Sequence, residues 1–257
     1  MFPPVVRSQQ DVRRVLLLVS DGLSDYEVAR RTRIPRSTVQ RWRHGGVPRT
    51  STAGPLCARC GYSAHEFTKL PGAEYAYLLG QYLGDGTIYR VGRTHALRIS
   101  SDAQYTGIIS ECCAAIEAVK QKRPHVRYHP YKRLANVISY WKAWLCLFPQ
   151  HGPGRKHDRT IALAAWQVEI VEAHPGRFLR GLIHSDGWRG VNRVRVKGRD
   201  YAYPRYQFSN RSADIRQLFI YACELVGVAW RPWGKWHISV ARREAVEILD
   251  QFVGPKS

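Results

Sequence analysis

Two nine-residue stretches of this chain share one pattern, and they constrain its fold more than any other feature. They are 78–86 (LLGQYLGDG) and 179–187 (LRGLIHSDG). Each places bulky apolar residues at the spacing of a buried helix. Each also has small residues four positions apart, Gly80 with Gly84 and Gly181 with Ser185. Because small residues allow two helix backbones to approach closely, we predict that the two helices pack against each other.

Both stretches end in Asp-Gly, at Asp85-Gly86 and Asp186-Gly187. We expect each glycine to adopt the left-handed conformation just past a helix end. A carboxylate is unfavourable at the negative end of a helix dipole unless a cation lies beside it. If the helices pack together, the two aspartates lie side by side and can bind a divalent metal. The alternative is that they are helix-end caps or ion-pair partners.

In their small-residue pattern, acidic eighth position and final glycine, the two stretches resemble the paired LAGLIDADG motifs of single-chain homing endonucleases. Gln81, Arg180, Leu83 and His184 depart from the family pattern. The resemblance implies an α+β fold in which two pseudo-symmetric αββαββα units form a saddle over duplex DNA. It also implies metal-dependent hydrolysis at Asp85 and Asp186.

The sequence after residue 74 repeats, with repeats predicted at 74–163 and 164–257 and a helix over 164–172 connecting them. In the first repeat we predict strands at 88–90, 95–100, 125–131 and 137–141 and a helix at 103–119. In the second we predict strands at 191–197, 205–209, 229–233 and 236–240 and helices at 213–226 and 242–252. Asp186 lies 101 positions after Asp85, and Lys256 lies 100 positions after Lys156.

The matched lysines Lys156 and Lys256 follow predicted helix ends in the two repeats. In the family that the motifs resemble, a lysine often lies near the scissile phosphate. The resemblance therefore implies that Asp85, Asp186, Lys156 and Lys256 are the catalytic residues. The alternative is that both lysines belong to ordinary basic turns.

The chain is strongly basic, with 40 Lys and Arg against 20 Asp and Glu and a formal net charge of +20. A field of this size favours a polyanionic partner, and the alternative is a merely basic surface. Polar and basic residues of the predicted strands and their turns are candidates for contacting phosphates or base edges in double-stranded DNA. They are Arg98, Arg127, Lys132, Arg133, Arg193, Arg195, Lys197, Arg205 and Gln207.

Residues 1–46 have the pattern of three short helices. Ser8 is the predicted cap of the first helix, and Val12, Val15, Leu16 and Val19 form its apolar face. The tight turn at Ile34-Pro35 resembles a helix-turn-helix of homeodomain-like or resolvase type, in which the third helix enters the major groove. By this resemblance Arg36, Ser37, Thr38, Gln40, Arg41 and Arg43 face DNA, whereas Val39 and Trp42 lie in the core. The alternative is a small helical bundle with a solvated basic face.

Residues 47–73 read as a linker, rich at first in Gly, Pro, Ser and Thr. Cys57 and Cys60 have the spacing of a zinc knuckle, but no second pair of ligands follows nearby. His65 is the nearest further candidate. The knuckle is therefore a possible Zn²⁺ site, and the alternatives are two exposed thiols or a lost zinc ribbon.

The opening segment has no basic region followed by an apolar run, and the six cysteines form no regular framework. We expect a soluble, cytoplasmic protein of bacterial type that associates with the nucleoid. We also expect a monomer with internal pseudo-twofold symmetry, no membrane association and no protein partner.

The leading functional hypothesis is a sequence-specific double-stranded DNA endonuclease that uses two or three Mg²⁺ ions. A carboxylate pair with few acidic ligands suits Mg²⁺, which keeps several of its waters. The alternative is a non-cleaving transcriptional regulator that uses the helix-turn-helix and a LAGLIDADG-derived clamp. An RNA-splicing maturase is a third choice.

Overall fold

Residues 9–46, 57–62, 65–196, 198–254 and 256 are described by the structure, which is a computed structural model. The chain divides into two compact units, Met1–Leu56 and Cys57–Ser257. The predicted cap Ser8, most of the predicted linker's Gly/Pro/Ser-rich part and the predicted DNA contact Lys197 lie outside the described residues. Among the helices that are described, none has both the length and the apolar character needed to cross a membrane.

The first unit contains three helices, α1 (Gln9–Ser20), α2 (Asp25–Thr32) and α3 (Arg36–Arg43). Ser24 begins α2 with a reciprocal cap, in which its hydroxyl accepts from the backbone of Glu27 and the Glu27 carboxylate accepts from the backbone of Ser24. The core side chains are Val12, Val15, Val28, Ile34, Val39 and Trp42. Leu16 is 39% exposed, contrary to prediction, because two short helices cover only a narrow stripe of α1.

The second unit contains two copies of one series of elements, joined by the helix α7 (Ala165–Ala173). The first copy comprises α4 (Gly72–Leu83), β1 (Gly86–Val91), β2 (Thr94–Ser101), α5 (Thr106–Lys120), β3 (His125–Tyr128), β4 (Ala135–Tyr140) and α6 (Trp144–Leu147). The second comprises α8 (Pro175–Asp186), β5 (Gly187–Val196), β6 (Arg199–Ser209), α9 (Ala213–Leu225), β7 (Arg231–Trp233), β8 (His237–Val240) and α10 (Arg243–Phe252). The α+β class and the αββαββα order predicted for both repeats are confirmed.

Each repeat forms one antiparallel four-stranded sheet, in the order β1-β2-β4-β3 or β5-β6-β8-β7. The β5-β6 hairpin is longer than predicted. It starts directly at Gly187, and its pairing continues to Val196 opposite Arg199. Backbone pairing between the two strands extends them through 187–190 and 199–204, where the sequence has no regular apolar alternation. Helix α5 begins later than predicted, at Thr106, because the Asp102 carboxylate accepts the backbone N–H of Gln104 in a turn.

The two motif helices, α4 and α8, pack at their glycines, as predicted. A Cβ atom on Gly181 would lie 2.2 Å from the carbonyl oxygen of Tyr77, and one on Gly80 would lie 2.6 Å from that of Phe178. These contacts are backbone to backbone, so no rotamer change could relieve them. The small-residue pattern therefore sets how closely the helices approach.

The prediction that Gly86 and Gly187 adopt the left-handed conformation is wrong, because neither has a positive φ. Each is the first residue of a strand that turns back along its own helix. A Cβ on Gly86 would lie 2.4 Å from Cα of Tyr82, and one on Gly187 would lie 2.6 Å from Cα of Ile183. Close approach to the preceding helical turn, and not φ, therefore requires glycine.

Three polar departures from the motif pattern have partners. The buried Gln81 amide donates to the hydroxyl of Tyr77, which also lies 3.1 Å from Nδ1 of His184. Burial, followed in importance by the charge of Arg180, lowers the pKa of His184 to about 3, so this imidazole is neutral. The Nε–H of Arg180 donates to both carboxylate oxygens of Glu111 on α5. These contacts tie the motif helices together and to α5.

Candidate active site

Asp85 and Asp186 lie where the two motif helices end side by side. Asp186 is the last residue of α8, and Asp85 follows Gly84, the C-cap of α4. A Cβ on Gly84 would lie 2.2 Å from Oγ of Ser185 and 3.0 Å from Oδ2 of Asp186. The missing side chain at Gly84 thus allows the Asp186 carboxylate to approach the end of α4.

Both carboxylates line one open cavity of about 740 Å³. Its walls come from the end of α4, the start of β1, the loop that precedes α7 and the ends of β2 and β6. The polar side chains lining it include Thr87, Ser100, His151, Arg155, Lys156, His157, Arg159, Ser209, Asn210 and Arg211. The cavity is therefore predominantly basic, with the two aspartates as its acidic groups among the lining residues.

Lys156 and Lys256 supply the cations that the two helix ends need. Lys156 Nζ donates to the carbonyl oxygens of Tyr82 and Gly84, the latter at 2.7 Å, at the end of α4. Lys256 Nζ lies 3.4 Å from the carbonyl oxygen of Ser185, near the end of α8. A cation at a helix C-terminus is stabilised by the exposed carbonyls. Each repeat therefore brings a lysine to its own motif helix.

The two carboxylates are harder to ionise than isolated ones. Burial and then the charge of Asp85 raise the pKa of Asp186 to about 6, although Asn210 donates a 2.6 Å hydrogen bond to it. Asp85 is open to the cavity, yet reduced hydration raises its pKa too, against the opposing effect of Lys156 and Lys256. The lysines therefore only partly compensate the two negative charges.

The pKa values of the lysines shift in the opposite direction. Burial lowers the pKa of Lys156 to about 8, although Asp186 and Asp85 oppose this effect. Burial also lowers the pKa of Lys256. Lys156 is therefore able to hold or release a proton near neutral pH.

Replacing Asp186→Asn is expected to stabilise the metal-free protein at pH 7 by about 1–2 kcal/mol. The native carboxyl has a pKa near 6 against an ordinary 3.8, so between those values the native state binds more protons than the unfolded state. Its contribution to stability therefore falls as pH rises through this window. Urea unfolding in EDTA at pH 7 and pH 4 measures the difference in free energy of unfolding between Asp186→Asn and the wild type. This difference should disappear at pH 4.

Asp250→Asn is the matched control for this prediction. Hydrogen bonds from Arg189 hold the pKa of Asp250 below its usual range, so that variant should be destabilised at pH 7. If Asp186→Asn is also destabilised without metal, the carboxylate is already adequately compensated by the lysines.

Several of the predicted DNA-contacting residues share the open face of each sheet, opposite the face that packs on the helices. Arg98 pairs in register with Thr87, and Arg127 pairs with Asn136, which is itself paired with Ser100. Registered partners in antiparallel strands point to the same side. In the second sheet the corresponding open-face residues of β6 are Tyr201, Tyr203, Arg205 and Gln207.

Strand alternation separates other predicted contacts from this face. Arg193 and Arg195 alternate with Asn192 and Val194 and project from the opposite side of the hairpin. Arg195 lies 3.8 Å from Asp200. Arg133 donates to Asp102, and Lys132 is exposed in the turn between β3 and β4. The structure therefore does not bring all the predicted strand contacts to one surface.

In the first unit, α3 presents a polar surface beside its buried Val39 and Trp42. Arg36, Ser37, Gln40, Arg41 and Arg43 are exposed and Thr38 is partly buried. The Arg43 guanidinium is held by the Asp25 carboxylate at 2.7 Å and by the carbonyl oxygen of Leu23. Arg43 thus connects α3 to the start of α2.

Sequence reasoning did not assign a site role to Asn210, His151 or Arg159, which all line the cavity. The sequence signal that could have found Asn210 is the match of Ser209-Asn210 in the second repeat to Ser100-Ser101 in the first. Burial and then the charge of Arg159 lower the pKa of His151.

Comparisons with known proteins give one family-model match and a set of similar solved structures. A family model described as a homeodomain-like domain matches residues 7–45, which confirms the predicted type of the first unit. No curated protein sequence matched the chain.

Among solved structures, the chain is similar to LAGLIDADG homing endonucleases. I-DmoI in complex with DNA and Mn is 12% identical, with 71% of this chain and 97% of that chain covered and a TM-score of 0.47. I-LtrWI bound to target DNA is 8% identical, with 70% and 84% covered and a TM-score of 0.46. I-SmaMI bound to cleaved DNA is 8% identical, with 71% and 84% covered and a TM-score of 0.46. These low values assign no residue role to this chain.

Proposed function

We propose that this protein is a sequence-specific, metal-dependent double-stranded DNA endonuclease that acts as a monomer. The observation that carries the proposal is the convergence of Asp85 and Asp186, one from each repeat, in a single basic cavity. Burial and mutual repulsion raise the pKa of Asp186, which makes an uncompensated pair unfavourable. A pair of this kind gains stability when cations bind between its members.

The residues fit Mg²⁺. Carboxylate oxygens are hard ligands, and Mg²⁺ needs only one or two of them beside waters and phosphate oxygens. The open cavity has room for those additional ligands. We propose that Asp85 and Asp186 together hold two or three Mg²⁺ ions. When bound, such ions stabilise charge on the phosphate and lower the pKa of the attacking water.

We propose that Lys156 and Lys256 exchange protons with groups in the cavity and offset negative charge during the reaction. Carbonyl oxygens at the helix ends hold Nζ of both lysines near the aspartates. With a pKa of about 8, Lys156 exchanges a proton readily at neutral pH and can hydrogen-bond a water or a phosphate oxygen. Asn210 positions the Asp186 carboxylate through its 2.6 Å hydrogen bond.

The open faces of the sheets are the proposed duplex-binding surface. Arg98 lies over the ring of Tyr89 and Arg205 over that of Trp233, so aromatic side chains hold both guanidinium groups. Their Nε atoms are buried and, among the described residues, have no hydrogen-bond acceptor. When these side chains reorient on binding duplex DNA, phosphate oxygens or guanine edges would satisfy the donors. We propose that α3 of the first unit supplies further DNA contacts.

A non-cleaving regulator is the second candidate, because the first unit matches a homeodomain-like model. Such a protein would bind its operator through α3 and the open sheet faces. The repelling carboxylate pair would then have no function to offset its cost, which favours the enzyme.

Incubation of the full chain with a randomised duplex library tests the proposal. Bound duplexes are selected in Ca²⁺ and then challenged with Mg²⁺. We expect a long, nearly asymmetric site to be enriched in Ca²⁺ and cut on both strands only after Mg²⁺ is added. Selection of a specific duplex that no divalent metal causes to be cut would instead identify a regulator.

A further inference from the structure

Cys57 and Cys60 lie in a tight knuckle turn at the start of the second unit. The backbone N–H of Cys57 donates to the carbonyl oxygen of Tyr62 at 2.7 Å, and the N–H of Gly61 donates to that of Cys57 at 2.8 Å. Gly61 has a φ of +73°, where a side chain would be strained. The Cys-x-x-Cys-Gly sequence is therefore folded so that both thiols are presented by one turn.

Two further ligand-type residues meet this turn. Sγ of Cys146, from α6, lies 3.6 Å from Sγ of Cys57, and Nε2 of His65 lies 3.2 Å from Sγ of Cys60. The four ligand atoms all lie within 4.8 Å of one another. Cys60 and Cys146 are buried, and Cys57 and His65 are partly buried. The second pair of ligands that sequence reasoning found missing is thus supplied mainly by the tertiary fold.

These separations match a tetrahedral zinc site. With Zn–S bonds of about 2.3 Å and Zn–N bonds of about 2.0–2.1 Å, the edges of the tetrahedron are about 3.8 Å between two sulfurs and about 3.6 Å between sulfur and nitrogen. The Cys57–Cys146 distance agrees with the first of these values. The Cys60–His65 pair needs to open by only a few tenths of an ångström. Three soft sulfur ligands with one imidazole favour Zn²⁺ over Mg²⁺.

The four residues connect the knuckle turn to α6, whose Trp144 and Leu147 side chains pack in the core of the second unit. Helix α6 has only four residues, too few to be stable without tertiary contacts. His65 stacks on Phe67, which stacks on Trp166 of α7 with ring centroids 4.0 Å apart. The loop that carries Lys156 into the cavity begins soon after α6. A metal at this place would hold the entry to α4 against both α6 and α7.

We propose that Cys57, Cys60, His65 and Cys146 bind one structural Zn²⁺ ion. The ion fastens the knuckle to α6 and thereby helps to position the loop that bears Lys156. It lies apart from the carboxylate pair and takes no part in phosphodiester hydrolysis.

Metal content of the full chain tests the site, with Cys146→Ser and Cys113→Ser as a matched pair. Cys113 is a partly buried free cysteine on α5 and does not belong to the cluster. Protein purified in reducing buffer with zinc is dialysed and measured by inductively coupled plasma mass spectrometry. We expect one zinc per chain in the wild type and in Cys113→Ser, and a large loss in Cys146→Ser. Reconstitution with Co²⁺ should give the visible absorption of tetrahedral thiolate coordination in the first two proteins only.

Two further measurements cover the case in which Cys146→Ser does not fold. His65→Ala alters a partly buried member of the cluster and should weaken zinc binding without removing a buried thiol. A strong zinc chelator should lower the melting temperature of the wild type and of Cys113→Ser. Because every readout is metal content or stability, the result does not depend on DNA cleavage.

Three outcomes would overturn the proposal. The first is equal zinc content in Cys146→Ser and the wild type. The second is a folded wild-type chain that takes up no zinc when it is supplied. The third is a Cys57–Cys146 disulfide, found by peptide mapping of the protein kept under reducing conditions.

Discussion

Replacing both Asp85→Asn and Asp186→Asn is expected to reduce cleavage of the selected duplex at least about 1000-fold, equivalent to roughly 4 kcal/mol of transition-state stabilisation. The two carboxylates are the acidic groups among the residues lining the cavity, so their loss removes the proposed metal ligands. Duplex affinity in EDTA should be unchanged or slightly higher, because two negative charges leave a basic surface. Single-turnover cleavage in Mg²⁺ and equilibrium binding in EDTA measure the two effects separately.

Asp158→Asn is the matched control, because it removes a carboxylate from the loop that bears Lys156. Asp158 is exposed and is not among the residues lining the cavity. Its cleavage rate should remain within a few-fold of the wild type. Wild-type cleavage by the double variant would exclude Asp85 and Asp186 as the metal ligands. Equal loss of cutting in Asp158→Asn would point to a general charge effect.

Gly181→Ala is expected to lower the free energy of unfolding of the second unit by about 2–4 kcal/mol, even though alanine is the better helix former. Its Cβ would lie 2.2 Å from the carbonyl oxygen of Tyr77, 3.0 Å from Cα of Gly80 and 3.1 Å from the backbone nitrogen of Gln81. All three are backbone atoms, so the motif helices must separate to admit the methyl group. Urea unfolding at fixed pH, followed by tryptophan fluorescence, measures the loss.

Gly72→Ala provides the comparison, because Gly72 also lies in a motif helix. A Cβ there would meet the far end of the His174 ring at 2.7 Å, and that side chain can move. We expect a change within about 1 kcal/mol. If the two variants were equally stable, close backbone contact would not be the reason for the glycines in the motif. Any residual cleavage by Gly181→Ala would report how accurately the helices must place the two aspartates.

The order of helices and strands in the second unit could be predicted from the sequence because the same order occurs in both repeats. The separation between Asp85 and Asp186 is nearly the same as that between Lys156 and Lys256, and this common spacing located the repeat. The apolar periodicity within it then separated helices from strands. The predicted ends of helices and strands were less accurate where the pattern of apolar side chains does not determine them. The β5-β6 hairpin extends beyond the predicted strands because backbone pairing continues through 187–190 and 199–204, which have no regular apolar alternation.

Some residues of the candidate site could likewise be predicted from the sequence, and others could not. The carboxylates and lysines were found because both repeats carry them at equivalent positions. Asn210 and His151 have no such pair of matching residues, and only the cavity assigned them a place beside Asp85 and Asp186. Likewise, the open and covered sides of the β5-β6 hairpin separate Arg193 and Arg195 from Arg205 and Gln207, a distinction that depends on register.

Local sequence thus determined the motif helices, their small-residue contact surface and the acidic residue at each end, because all of these are set by neighbours within a few positions. Only the tertiary structure showed why positions 86 and 187 are glycine. The backbone there lies close to the preceding helical turn, and neither Gly86 nor Gly187 has a positive φ. The tertiary structure also decided that Cys146 meets the knuckle at Cys57, 89 positions earlier in the chain. Contacts at such separations are produced by packing of the whole unit, and no local pattern encodes them.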